Sequence, residues 1–291
     1  MSKPSYVVIT PVRDEVEHIE RTIESMAAQS NLPTRWVVVD DGSTDGTGEI
    51  LDRRAAALPW MTVLHRKDRG HRASGGGVVE AFNTGYGHLA GVEWEYLVKL
   101  DGDLSFDSDY FRKCFQHFER DPRLGIGGGT VCKIEDGHVL IDSKGDPAFH
   151  VRGATKIYRK ACWEQIGPLA RAPGWDTIDE VKANYRGWGT RTFDELKLVQ
   201  HKPTGAADGR WRNWYKNGYA NYMTGYHPLF MLAKCIKRAP RSPVLIESAA
   251  LFAGYCSGYV KRIPQVCDRD AIRFLRREQM RRLLQRPSIY S

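Results

Sequence analysis

Two stretches decide the fold: Trp36-Val37-Val38-Val39-Asp40-Asp41-Gly42-Ser43 and, about sixty residues later, Tyr96-Leu97-Val98-Lys99-Leu100-Asp101-Gly102-Asp103. Each is a short apolar run that ends in acids. Val37 to Val39 is β-branched and too short for a helix, so it reads as a strand buried on both faces, as in a parallel sheet. Its carboxylates then emerge at the strand's C-terminal end, and in open α/β sheets that edge borders the ligand crevice. Both acidic turns are therefore expected to face one bound molecule. An Asp-x-Asp turn after a buried strand suits a hard divalent cation, which takes oxygen ligands and bridges them to phosphate oxygens. Taken singly, each segment also fits a plain turn or helix cap; the conjunction favours a ligand site.

Working outward, Tyr6 to Thr10 reads as a strand and Val16 to Gln29 as a helix, with Val16, Ile19, Ile23 and Met26 near the 3.6-residue period. Asp41 to Asp45 forms a turn that can cap a helix from Thr47 to about Ala57. Met61 to Leu64 is a further strand and Val78 to Leu89 a further helix. This alternation predicts an α/β fold: a Rossmann-like, mostly parallel sheet with helices on both faces and right-handed crossovers. Between the acidic turns, Arg66 to Gly77 gathers cations and glycines ahead of a helix N-terminus, a setting that favours anions. The loop is not a Walker A sequence, which needs Gly-Lys-Ser/Thr. The first strand runs into Thr10-Pro11-Val12-Arg13-Asp14-Glu15 rather than a Gly-x-Gly-x-x-Gly turn, which disfavours a nicotinamide dehydrogenase and a nucleotidyltransferase.

With 291 residues and 42% hydrophobic content, the chain is long enough for one large α/β core with an appended element. The net charge of +8 is uneven: Lys261 to Arg286 is strongly basic, which suits phosphate-rich partners or an anionic membrane surface. The six cysteines show neither Cys-x-x-Cys pairing nor zinc-type His spacing, so reduced thiols and a cytoplasmic location are expected. No basic-then-apolar leader precedes the first strand, and no stretch reads as an unambiguous membrane span.

Val8-Ile9-Thr10-Pro11-Val12-Arg13-Asp14-Glu15, then Val39-Asp40-Asp41-Gly42-Ser43-Thr44-Asp45, then Lys99-Leu100-Asp101-Gly102-Asp103, resembles the inverting family 2 glycosyltransferases of the GT-A nucleotide-diphospho-sugar fold. The resemblance covers about residues 5 to 205. It departs at Arg13-Asp14-Glu15, where many relatives carry Tyr-Asn-Glu, and at Gly75-Gly76-Gly77, where many carry Ala-Arg-Asn. It implies a hexosyl-type transferase using a UDP- or GDP-sugar and Mn2+ or Mg2+. Pro11, Val12, Arg13, Glu15 and Asp41 would line the nucleoside side. Lys99, Asp101 and Gly102 would face the donor phosphates, with Asp103 and Asp101 on the metal. Arg69 and Arg72 fit the base or diphosphate as cations, or plain solvated charges. Lys99, in a buried strand, needs an anionic partner in either case.

The same resemblance puts the acceptor site at Gly174-Trp175-Asp176-Thr177-Ile178-Asp179-Glu180, where relatives carry a Glu-Asp motif whose Asp deprotonates the acceptor. Asp179 is the first choice for general base, Asp176 the second and Glu180 the third, the last also an acceptor contact. Trp175 would stack on a sugar ring. All three acids also fit helix-cap roles in the first turn of a helix starting near Ile178. His201, beyond a strand at Thr190 to Phe193, is a candidate third metal ligand, and Lys202 suits phosphate.

Residues 1–205 therefore read as the catalytic domain, with a nucleotide-sugar half to about 104 and an acceptor half after it. Residues 206–291 read as a helical extension at a membrane interface. There Trp211, Trp214, Tyr215, Tyr219 and Tyr222 interleave with Arg210, Arg212 and Lys216, and no recognition motif supports nucleic acid. Val244 to Val260 suits an interfacial helix, and Ala271 to Leu284 a basic amphipathic helix of the kind that binds anionic bilayers. The acceptor is expected to be a lipid-linked saccharide or growing surface glycan. A polyprenyl phosphate acceptor, which needs no base, is the alternative within the enzyme class. A scaffold that binds nucleotide sugars without catalysis is the alternative outside it.

Overall fold

The computed structural model describes residues 3–68, 70, 76–142, 145–202, 209–240, 245–266 and 268–290. Arg69 and Arg72 lie outside the described residues. Four short strands, β1 (Tyr6–Val12), β2 (Arg35–Asp40), β3 (Met61–His65) and β4 (Tyr96–Leu100), lie parallel in the order β3-β2-β1-β4. Helices α1 (Ile19–Ala27), α2 (Thr47–Ala55) and α3 (Gly76–Gly87) form the crossovers.

Alternation along each strand builds two cores. Tyr6, Val8, Trp36, Val38, Tyr96 and Val98 point to one face, against α1 and α4 (Tyr110–Arg120). Val7, Ile9, Val37, Val39 and Leu97 point to the other, against α3 and α5 (Lys160–Ile166). Burying both faces of each strand at ~25 cal/mol per Å2 of apolar area explains why these runs contain almost no polar residue.

The second half of the sheet is mixed. β8 (Thr155–Arg159) runs antiparallel to β4, β6 (Leu124–Glu135) pairs antiparallel with β8, and β9 (Gly189–Gln200) runs parallel to β6. The short β5 (Leu104–Phe106) pairs with the end of β9, and β7 (His138–Ile141) with the end of β6. Parallel pairing is thus concentrated in the nucleotide-sugar half, where the βαβ repeats are; hairpins and long strands build the rest. α6 (Trp175–Tyr185) starts three residues earlier than the predicted Ile178.

The C-terminal region is four helices, α7 (Arg210–Thr224), α8 (Pro228–Arg238), α9 (Ile246–Val260) and α10 (Arg269–Leu283). Their apolar residues share a third core with Ile178 and Val181 of α6, so these helices are packed onto α6. In α10, Ala271, Ile272 and Leu275 are buried in that core and face α6 and α8, so most of the apolar stripe expected to meet a membrane meets protein, while Leu283 and Leu284 at its end are exposed.

Candidate functional site

The C-terminal ends of β1 and β4 bring the first carboxylates together. Asp101 is held by its backbone N–H donating to the Ala154 carbonyl at 2.8 Å, and the Asp103 carbonyl accepts from the His201 N–H at 2.9 Å. The turn between them needs Gly102, because a Cβ there would stand 2.6 Å from Val12 Cγ1. Asp103 is 5% exposed and accepts a 3.1 Å hydrogen bond from Gln200 Nε2. Glu15 reaches the same region from the loop after β1. Its Oε1 pairs with Lys202 Nζ at 2.7 Å, whereas its buried Oε2 has no partner among the described residues.

Burial raises the pKa of all three acids. Burial pushes Glu15 up to about 7, against the pull of Lys202, and the charges on Asp103 and Asp101 push the same way. Burial likewise pushes Asp101 up to about 6, opposed by Lys99 and reinforced by Asp103. Asp103 is also raised, chiefly by burial. Lys99 pairs with Asp101 and Lys202 with Glu15, so two lysines face three acids in this cluster.

The adjoining wall, expected to line the nucleoside, is built from the ends of β1, β2 and β3. Pro11 and Val12 are buried at the end of β1. The Asp41 N–H donates to the Val12 carbonyl at 2.9 Å, and its Oδ1 pairs with Arg66 at 2.7 Å. Arg13 donates to the Asp41 carbonyl at 2.8 Å and pairs with Asp68 at 2.6 Å. Gly42 lies at φ +77°, and a Cβ there would stand 2.5 Å from Asp68 Cα, so the two loops meet in a way only glycine allows.

The floor is a pair of buried lysines. Lys99 and Lys156 face each other across β4 and β8, with 2% and 0% of their side chains exposed. Lys99 pairs with Asp101 and donates to the Gly153 carbonyl at 2.5 Å. Lys156 pairs with Asp179 at 2.8 Å and Glu180 at 2.9 Å, and donates to the Asp176 carbonyl. The Trp175 ring lies 5.4 Å from Lys99 Nζ and 5.7 Å from Lys156 Nζ. Trp175 is therefore 8% exposed and braced by cations from below, which leaves little of it for stacking on a sugar.

This network separates the three candidate bases. Asp179 is 4% exposed and accepts from Lys156, from Tyr158 Oη at 2.5 Å and from the Glu180 N–H. Burial raises its pKa, and Lys156 opposes the rise. Glu180 is fully buried, pairing with His150 Nδ1 at 2.9 Å and accepting from the Val151 N–H at 2.7 Å. Burial works against a charge on His150, but Glu180 outweighs it and holds the imidazole at about 9. Two cations and two anions thus neutralise one another beneath α6. Asp179 and Glu180, expected as first choice of base and as acceptor contact, are thus both hydrogen-bonded into that buried network. Asp176, in the first turn of α6, is partly exposed instead. Its Oδ2 would be 3.4 Å from a Cβ on Gly153, whose carbonyl is bonded to Lys99 and so to the Asp101 side.

His201, the candidate third ligand, has protein partners at its ring. Its Nδ1 lies 3.1 Å from Arg21 and its Nε2 2.8 Å from Ser105 Oγ, so both ring nitrogens are engaged. Among the described residues, no three His, Cys, Asp or Glu side chains form a cage for a metal. Residues that the sequence did not single out are Lys156, Gly153 and Gln200. Only Lys156 had a signal, a lysine in the apolar run Thr155-Lys156-Ile157 that mirrors Val98-Lys99-Leu100.

The family model for "Glycosyl transferase family 2" matches residues 7–165, more than half of the chain. The succinoglycan biosynthesis protein ExoA of Rhizobium meliloti is 32% identical over 111 residues, which is 38% of this chain and 31% of that protein. Glycosyltransferase GlyG of Streptococcus pneumoniae is 27% identical over 132 residues, 45% of this chain and 41% of that protein. The chain thus spans about a third to two fifths of these relatives. In three dimensions it resembles a mannosyltransferase of Pyrobaculum calidifontis solved with GDP-Man and Mn2+, with a TM-score of 0.58 and 20% identity over 94% of this chain and 79% of that one. It also resembles S. aureus TarS solved with UDP-GlcNAc, with a TM-score of 0.54 and 16% identity over 97% and 86% of the two chains. These likenesses establish a GT-A fold. With the family model spanning both acidic turns and the strands that hold them, the chain belongs to glycosyl transferase family 2.

Proposed function

We propose that the chain is a metal-dependent inverting glycosyltransferase that moves a sugar from a nucleotide diphosphate donor to an acceptor hydroxyl. The observation that carries this reading is the convergence of Glu15, Asp101 and Asp103, under-neutralised and with Glu15 Oε2 unpartnered, beside the buried Asp41–Arg66 pair. Asp101 and Asp103 would hold Mn2+ or Mg2+, with diphosphate oxygens completing the shell, so no all-protein cage is needed. When bound, the cation offsets charge on the departing diphosphate. Asp41 and Arg13 would face the nucleoside. UDP- and GDP-sugars are the favoured donors, in line with the ligands of the two structural neighbours.

Asp176 replaces Asp179 as the proposed base. Its carboxylate would take the proton as the acceptor oxygen forms its bond to the anomeric carbon and the bond to the diphosphate oxygen breaks with its electron pair. Attack opposite the leaving group inverts the centre. Residues 1–205 supply this chemistry. The acceptor we favour is a lipid-linked saccharide or surface glycan, reached from an anionic membrane surface on the cytoplasmic side. Among the described residues no helix is long and apolar enough to cross a membrane. The test is turnover: UDP- and GDP-sugars are incubated with Mn2+, and release of nucleoside diphosphate is measured with wild type and Asp103→Ala. Release by wild type alone supports the reading. Donor binding with no release under any condition supports a non-catalytic nucleotide-sugar scaffold.

A further inference from the structure

The last third of the chain exposes apolar and cationic side chains together. Of the eighteen large hydrophobic residues exposed among the described residues, eleven lie between Trp211 and Leu284. On α8, Leu229, Leu232 and Ile236 recur at i, i+3 and i+7, a single helix face. On α9, Phe252, Tyr259 and Val260 recur at i, i+7 and i+8, and Val260 is 81% exposed. The two helices meet as a hairpin, with Arg238 of α8 paired to Glu247 of α9 at 3.3 Å and Ser248 Oγ donating to the Cys235 carbonyl at 2.8 Å.

Charge identifies what covers this face. Residues 206–291 contain sixteen Lys and Arg against five Asp and Glu, whereas residues 1–205 contain 27 against 30. From Gly209 to Val266 the only acid is Glu247, and it is 14% exposed in its pair with Arg238. Exposed Lys237 follows exposed Ile236, and exposed Lys261 and Arg262 follow Val260. Exposed Asp146, in the loop before β8, is the acid that acts on Lys234 of α8 from outside this stretch, and a surface whose own helices are apolar and cationic still repels a second copy of itself and complements an anionic lipid surface. We propose that the α8–α9 hairpin lies in the plane of an anionic bilayer, its apolar residues in the headgroup boundary and its lysines and arginines among the phosphates. α10, whose Ala271, Ile272 and Leu275 are buried, adds charge through exposed Arg273 and Arg277.

The hairpin is rigidly tied to the acceptor side. α7 crosses α9 so closely that a Cβ on Gly218 or Gly254 would collide with the other helix's backbone. α7 also packs on Gly174, just before Trp175 and Asp176, where a Cβ would stand 3.1 Å from Thr224 Oγ1. Docking therefore fixes the first turn of α6 relative to the lipid surface. The docking stands on the surface alone; its use in presenting a lipid-linked acceptor rests on the transferase reading.

The test is co-sedimentation of the full chain with phosphatidylcholine vesicles, alone or with about one third phosphatidylglycerol, at low and high salt. Ile236→Glu/Val260→Glu is compared with Leu32→Glu, the same kind of exchange at an exposed site in the nucleotide-sugar half. Thermal melts confirm folding, and nucleotide-sugar stabilisation on the same samples reports the donor site independently of lipid. Wild type and Leu32→Glu should bind the anionic vesicles, with the double variant and the neutral vesicles at least about tenfold weaker. Equal binding to both vesicle types, no binding, or full binding by the double variant would overturn the proposal. So would a wild-type dimer that the double variant splits, which would assign the face to a second copy.

Discussion

Replacing Asp176 and Asp179 separately by Asn tests the division of labour beneath α6. Asp176→Asn keeps the side chain's shape and removes the carboxylate proposed to take the acceptor proton. General base catalysis contributes ~10²–10⁴-fold, about 3–5 kcal/mol of barrier, so kcat should fall by that factor. Melting temperature and donor affinity should hardly change, because this carboxylate is partly exposed and accepts no hydrogen bond among the described residues. Asp179→Asn should do the reverse. It removes one of the two anions paired with the fully buried Lys156 and weakens the acceptor for Tyr158. Breaking a buried pair costs about 3–5 kcal/mol. At roughly 2–4 °C per kcal/mol for domains near this size, the melting temperature should fall by about 10 °C, while the molecules that remain folded turn over. The assay is nucleoside diphosphate release, normalised to the folded fraction, beside a thermal melt of each variant. Loss of turnover in Asp179→Asn at an unchanged melting temperature, with Asp176→Asn active, would refute the assignment. If Asp176→Asn is only mildly impaired and Asp179→Asn behaves as described, an anionic acceptor such as a polyprenyl phosphate replaces the hydroxyl.

Three further outcomes follow from the same geometry. The His150 pKa is raised from 6.5 to about 9 in the folded chain, so its pairing with Glu180 stabilises fully below about pH 6 and is lost as pH rises through 9. A pH series of thermal melts should show that alkaline loss in wild type, of the order of 2–3 kcal/mol, and a flatter profile in Glu180→Gln. His201→Ala should leave donor binding and its metal dependence within about twofold, as its ring nitrogens already serve Arg21 and Ser105, and cost about 1 kcal/mol in stability; metal titration of the variant checks this. Gly102→Ala should lower stability by about 1–3 kcal/mol, read from denaturant unfolding, because its Cβ has no room beside Val12.

Local pattern carried the first half of the molecule. β-branched runs ending in acids, separated by amphipathic helices, placed β1 to β4 and both acidic turns at one sheet edge. β6 was not legible. Its Leu124-Gly125-Ile126-Gly127-Gly128-Gly129 run looks flexible, yet a side chain at Gly127 would strike Phe118 and Phe193, and one at Gly129 would strike Tyr110. The glycines are there because β6 threads between packed aromatics, information held by residues far away in sequence. The proposed change of base from Asp179 to Asp176 has a similar origin. Asp176, Asp179 and Glu180 differ only in which way they face on one helix turn, and what claims Asp179 is Lys156, more than twenty residues earlier on β8. His201 is suggested as a ligand by its place beyond the acceptor helix, and the contacts of its ring with Arg21 and Ser105 come from residues far away in sequence. α10 looked like a membrane helix because amphipathicity does not say whether lipid or protein fills the apolar side.

The most direct measurement is a thermal-shift panel of UDP-, GDP-, CMP- and dTDP-sugars, each with and without Mn2+, on wild type and Asp103→Ala. A donor at about 100 times its dissociation constant adds ~2.7 kcal/mol to stability, well within reach of a melt. One nucleotide class should stabilise wild type, only with Mn2+, and should have no effect on Asp103→Ala. Stabilisation that is independent of metal and survives the substitution would show that Asp101 and Asp103 do not form the donor's metal site.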